Sequence, residues 1–128
     1  MAKKLIISIT LIFCCPFAFA EDGLVVRFTV EKTEENAMRS YSNGVLMKFN
    51  ETVRLDFENQ YQIKVQSLAK DKGIVHLTVT VKDQTSGKPY YVGVASVEIE
   101  IGQEKTVELK QGMPSYAITL DTAYGVLP

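Results

Sequence analysis

The chain has 128 residues, with 14 basic side chains against 15 acidic ones and a formal net charge of −1. That balance argues against binding nucleic acid or anionic lipid through bulk charge, and the length corresponds to one domain. Both cysteines, Cys14 and Cys15, lie in the first twenty residues, so no disulfide can brace the remainder.

Residues 1–20 read as a cleaved secretory signal peptide. Lys3 and Lys4 supply a positive start, Leu5 to Phe13 an apolar core, and Ala18-Phe19-Ala20 small residues at the cleavage site. The apolar run is about half of the roughly 20 residues needed to span a bilayer, and Pro16 follows it. Phe13 before Cys14 does not match the small residue that usually precedes a lipid-modified cysteine. The mature domain is therefore 21–128, with no stable membrane insertion after cleavage. Without Lys3 and Lys4 its net charge is about −3. The implied location is periplasmic, or secreted if the host is Gram-positive.

Alternation with period two runs down the mature chain. Leu24, Val26, Phe28 and Val30 share one face of a first strand. Thr33 to Ser42 is polar and reads as a loop, and Asn43-Gly44 as a turn into Val45, Met47 and Phe49. Val53, Leu55 and Phe57 make the next strand, and Tyr61, Ile63 and Val65 the one after it. Past a polar turn at Lys70 to Gly73, Val75, Leu77, Val79 and Val81 face inward, with His76, Thr78, Thr80 and Lys82 outward. Gln84 to Pro89 is a loop. Tyr91 to Ile101 forms a long strand in which Gly93 and Ala95 mark a bulge or close packing. Gly102-Gln103 turns into Thr106 to Leu109, and Tyr116, Ile118 and Leu120 close the sheet. About eight short strands without intervening helices predict an all-β fold, a small antiparallel β-sandwich of immunoglobulin-like type. Strand order does not follow from alternation. The apolar tail Tyr124 to Pro128 is left three options: to tuck against the sheet, to fray, or to meet a partner.

No catalytic residue is identified. His76 is the only histidine and sits on a polar strand face, and no nucleophile elbow or phosphate loop is present. Zinc would want Cys and His ligands, and Lys70 to Gly73 has lysines where a calcium loop needs acids. Glu98, Glu100, Glu104 and Glu108 fall on the outer face of an expected hairpin, where they read as a solvated edge that discourages sheet-to-sheet pairing rather than as a site for a cation or a basic partner. The expectation is no enzyme, no cofactor and no metal.

Two segments point to binding. Ser86-Gly87-Lys88-Pro89-Tyr90 lies between two strong strands, and its Ser-Gly-x-x-Tyr spacing resembles the loop motif of the periplasmic lysozyme-inhibitor families, over five residues. That resemblance implies a loop entering a lysozyme cleft, with Ser86 and Tyr90 at the matching positions. The family's second loop motif and the cysteines of one branch are not seen. The other segment is Tyr90 to Ile101, which reads first as an ordinary central strand with a bulge, and otherwise as a strand long enough to offer a free edge to a partner. In its layout of leader, size and strand pattern, the chain is similar to small exported bacterial sandwich domains accessory to pilus, fibre or secretion assembly. The expectation is a non-catalytic interaction domain for another envelope protein, using Ser86, Gly87, Tyr90 and Tyr91. The alternative is an inhibitor of a lysozyme-type cell-wall hydrolase, and a third reading is a small hydrolase or sugar-binding module using outward carboxylates.

Overall fold

The computed structural model describes residues 21–128, and the expected signal peptide lies outside them. Eight strands are present: β1 (Glu21–Glu34), β2 (Ala37–Met47), β3 (Thr52–Phe57), β4 (Tyr61–Ala69), β5 (Ile74–Asp83), β6 (Tyr90–Glu100), β7 (Glu104–Lys110) and β8 (Ser115–Leu127). They form two four-stranded antiparallel sheets, in the orders β2-β1-β8-β7 and β3-β4-β5-β6. The fold is the expected small all-β sandwich. Its connectivity is a meander in which β1–β8 is the one pairing between strands not adjacent in sequence. Likeness to immunoglobulin domains, which use Greek-key connections, is thus one of architecture and not of strand order. Among the described residues no helix is long and apolar enough to cross a membrane.

The alternation explains the core. Leu24, Val26, Phe28 and Val30 of β1 are all buried and face Val75, Leu77, Val79 and Val81 of β5, with Ile118 and Leu120 from β8. Because the side-chain period is two, one slip of register would turn this whole set to solvent. Burial of such runs is the main favourable term in folding a domain with no disulfide among the described residues.

The chain changes sheets twice, and each crossing is fastened by a buried hydroxyl. Between β2 and β3, Asn50 adopts a φ of 60°. There the buried Ser67 hydroxyl donates to the Lys48 carbonyl at 3.0 Å and accepts from the Glu51 amide at 3.3 Å. Between β6 and β7, Gly102 has a φ of 103°, a backbone region that a side chain would disfavour. The buried Thr122 hydroxyl accepts from the Gly102 amide at 3.1 Å and lies 3.2 Å from the Gln103 carbonyl.

Three expectations need correction. Thr33 to Ser42 is not a loop: it forms the facing arms of the β1–β2 hairpin, with Glu34 paired to Ala37 and Thr29 to Ser42. Asn43-Gly44 is not a turn, because Phe28 pairs with Asn43 and Arg27 with Gly44 inside β2. Gly44 is favoured by space rather than by a turn, since a Cβ there would lie a tight 3.1 Å from both the Arg27 Cγ and the Val26 carbonyl oxygen. Last, the four glutamates do not share a face. By alternation, Glu98 and Glu100 lie on the outer side of the β3–β6 sheet, and Glu104 and Glu108 on the outer side of the other sheet. The apolar tail, by contrast, continues as β8, with Tyr124 paired to Leu24 and Leu127 to Glu21.

Candidate functional site

The β5–β6 loop and the start of β6 bring the sequence-predicted binding residues to one end of the sandwich, beside the β1–β2, β3–β4 and β7–β8 connections. Ser86, Gly87, Lys88, Pro89 and Tyr90 are all exposed. The loop is closed by a Gly87 amide bond to the Gln84 carbonyl at 2.9 Å, with Gly87 at a φ of 101°.

What holds this loop is a buried carboxylate. Asp83 continues the inward face of β5 and is 4 % exposed. Its Oδ1 accepts from the Thr85 amide at 2.8 Å and the Thr85 hydroxyl at 2.6 Å. Its Oδ2 accepts from the Tyr116 hydroxyl at 2.6 Å and pairs with Lys32 Nζ at 2.9 Å. Lys32 Nζ also donates to the Thr85 hydroxyl at 3.3 Å. Burial by itself would raise the Asp83 pKa, but hydrogen bonds from Thr85, Tyr116 and Lys32 outweigh it and hold the carboxyl at about 2. Burial and the Asp83 carboxylate push the Tyr116 hydroxyl well above its ordinary value, and burial with the same charge takes Tyr61 to about 12. The network joins β1 and β8 of one sheet to β5 of the other, so the loop springs from a point fixed by both layers.

The two tyrosines do not form one surface. Tyr90 pairs with the inward-facing Asp83, and Tyr91 with the outward-facing Lys82, so adjacent rings diverge as strand residues must. Tyr90 lies toward β7, with Lys110 Nζ 5.4 Å from its ring centroid. Tyr91 stands on the outer sheet face together with Val94, 56 % and 45 % exposed. The register shifts at Val81/Lys82, leaving Val92 as the extra residue of a bulge. Gly93 beside it permits close approach of the other sheet, where a Cβ would lie 3.0 Å from the Leu109 carbonyl oxygen. β6 is the edge strand of its sheet and not the central strand first expected, because the chain leaves for the other sheet directly after it. Lower down that edge, Lys105 Nζ donates to the Glu98 carbonyl at 2.7 Å.

Of the other residues weighed from sequence, His76 lies on the polar strand face with its Nε2 2.8 Å from the Ser96 hydroxyl. No group of three or more His, Cys, Asp or Glu side chains that could hold a metal occurs among the described residues. Sequence reasoning missed the Asp83 network, although a signal was present. Lys32 and Asp83 each extend an apolar face by one step, after Val30 and after Val81. A charge at an inward position must find a partner or unfold the strand end. The chain matches no protein-family model, no curated protein and no solved structure.

Proposed function

We propose that the chain is an exported, periplasmic and non-catalytic interaction domain that binds another envelope protein at the β6 edge and the loop before it. The observation that carries this reading is the upper part of β6. An edge strand there exposes Tyr90, Tyr91 and Val94 directly after a loop rooted in the Asp83 network. Edge strands present unpaired backbone donors and acceptors, and a partner strand can add to them with specificity from alternate side chains. Tyrosine is favoured at such contacts because it supplies large area at small conformational cost. Affinity capture from an envelope extract of the protein's own host tests the reading. Wild type should retain a protein that the Tyr91→Ala variant loses, and equal recovery with both variants would refute the site.

A second reading is supported by the exposure of every residue from Ser86 to Tyr90 in the spacing that resembles the lysozyme-inhibitor loop. In that case the loop end, rather than the strand edge, meets the partner. Lysis assays with c-, g- and i-type lysozymes separate the two. Inhibition abolished by Ser86→Arg supports the inhibitor reading, and three unaffected lysozymes dispose of it.

A further inference from the structure

The outer face of the β3–β6 sheet carries a charge arrangement that folding alone does not explain. Arg54 of β3 and Lys64 of β4 are paired directly opposite one another, a placement in which like charges destabilise a sheet. Lys82 stands on the same face, two residues along from Thr80, which is itself paired to Lys64. Among the described residues none of these three cations takes part in an ion pair. Asp56, the carboxylate nearest to them in register, accepts a hydrogen bond from the Gln84 side-chain amide at 2.8 Å instead. The three cations border a shallow hollow of about 380 Å³ that has Asp56, Gln62 and Thr80 in its wall and the Leu55–Ile63 pair in its floor.

Along the same rows, Tyr91 lies opposite Lys82 and Val94 opposite Thr80. The upper part of this face thus presents three cations without an ion-pair partner, one carboxylate, an amide, a hydroxyl and an exposed aromatic ring across four strands. At about 4.8 Å between strands its width is about 14 Å. We infer that this face binds a short stretch of acidic glycan, whose carboxylate, sulfate or phosphate groups meet Arg54, Lys64 and Lys82 while a sugar ring stacks on Tyr91. The anion removes the repulsion between Arg54 and Lys64, and charge-assisted hydrogen bonds replace it. Gln62 and Thr80 suit sugar hydroxyls because each can donate and accept. A nucleic acid fits less well, since one aromatic ring and three cations on an acidic chain give neither a stacking series nor a long phosphate track. The open hollow also lacks the enclosed apolar pocket that a protein hot spot fills.

The site shares Tyr91 with the proposed partner site, but Arg54 and Lys64 lie on the strands remote from β6, so substitutions there separate the two. It is tested by titrating the ¹⁵N-labelled protein with tri-galacturonate and with sulfated maltotriose, beside maltotriose, inorganic sulfate and a tri-glutamate peptide. The expected result is that at least one acidic sugar shifts the amides of Arg54, Lys64, Thr80, Lys82 and Tyr91. Arg54→Gln and Lys64→Gln should each weaken that sugar at least tenfold while raising the melting temperature, a gain that a purely structural role would not give. Shifts from neither acidic sugar would overturn the inference. So would equal binding of maltotriose, of inorganic sulfate or of tri-glutamate, the last pointing to an acidic protein instead. Envelope-protein capture should be unchanged in both variants, so failure of the glycan site and failure of the partner site are distinguishable.

Discussion

Asp83 occupies an inward position beside aromatic rings, and four donors from three elements keep it ionised there. A buried pair of this kind adds little net stability, yet removing one partner strands the other. Asp83→Ala should therefore lower unfolding free energy by about 3–5 kcal/mol in urea titrations. Lys32→Met should cost less, because the apolar stem is retained and Asp83 keeps its bonds from Thr85 and Tyr116. The pH dependence follows from the depressed carboxyl. With Asp83 at about 2 when folded and about 3.9 when unfolded, the unfolded chain binds the proton more readily. Stability of about 2.5 kcal/mol is present above pH 4 and is lost as pH falls through 2. Tyr61 and Tyr116 act in the opposite direction. Their hydroxyls are held protonated in the fold, so their contribution is complete below pH 10 and declines as pH rises toward 12. Denaturant midpoints measured from pH 1.5 to 12 should trace a plateau with a fall at each end. Asp83→Asn should flatten the acidic one.

At the scale of the strand, alternation alone placed the inward face of β1, β3, β4, β5 and β8, because burial on one side of a pleated strand leaves a strong period of two. It failed over the start of β2, and the reason is physical. From Ala37 to Gly44 that strand is exposed at all positions but the half-buried Tyr41, so neither face carries an apolar signature. Backbone pairing to β1 holds the segment in place, and backbone pairing leaves no mark on composition. Of the candidate site, the exposed loop and the tyrosines were legible, whereas which ring takes the outer face depends on the bulge at Val92. The glycine beside that bulge supplies an element-level prediction. Gly93→Ala must displace the Leu109 carbonyl and should cost about 1–3 kcal/mol by separating β6 from β7. Tyr91→Ala, at an exposed position, should leave the melting temperature nearly unchanged.

Across the whole molecule, closure depends on β1 and β8, the first and last described strands, pairing over thirteen positions. Which edges meet is decided by this contact between distant parts of the chain, and no local pattern encodes it. Folding dominated by such distant pairings is slow, in the millisecond-to-second range, and stopped-flow refolding should fall there. The two sheet faces also differ in character. Arg54, Lys64 and Lys82 gather around a single carboxylate, Asp56, on the upper β3–β6 face, while Glu104, Glu108 and Asp121 lie with Arg27 on the outer face of the other sheet. The proposed interaction domain would use one edge and one charged face of this layout. The central claim concerns the upper β6 edge, and the most direct measurement is quantitative mass spectrometry of envelope proteins captured by wild type and by Tyr91→Ala, both verified as folded. The account predicts a specific partner enriched by wild type and reduced at least tenfold by the substitution. A partner recovered equally by both, or none recovered by wild type, would contradict it.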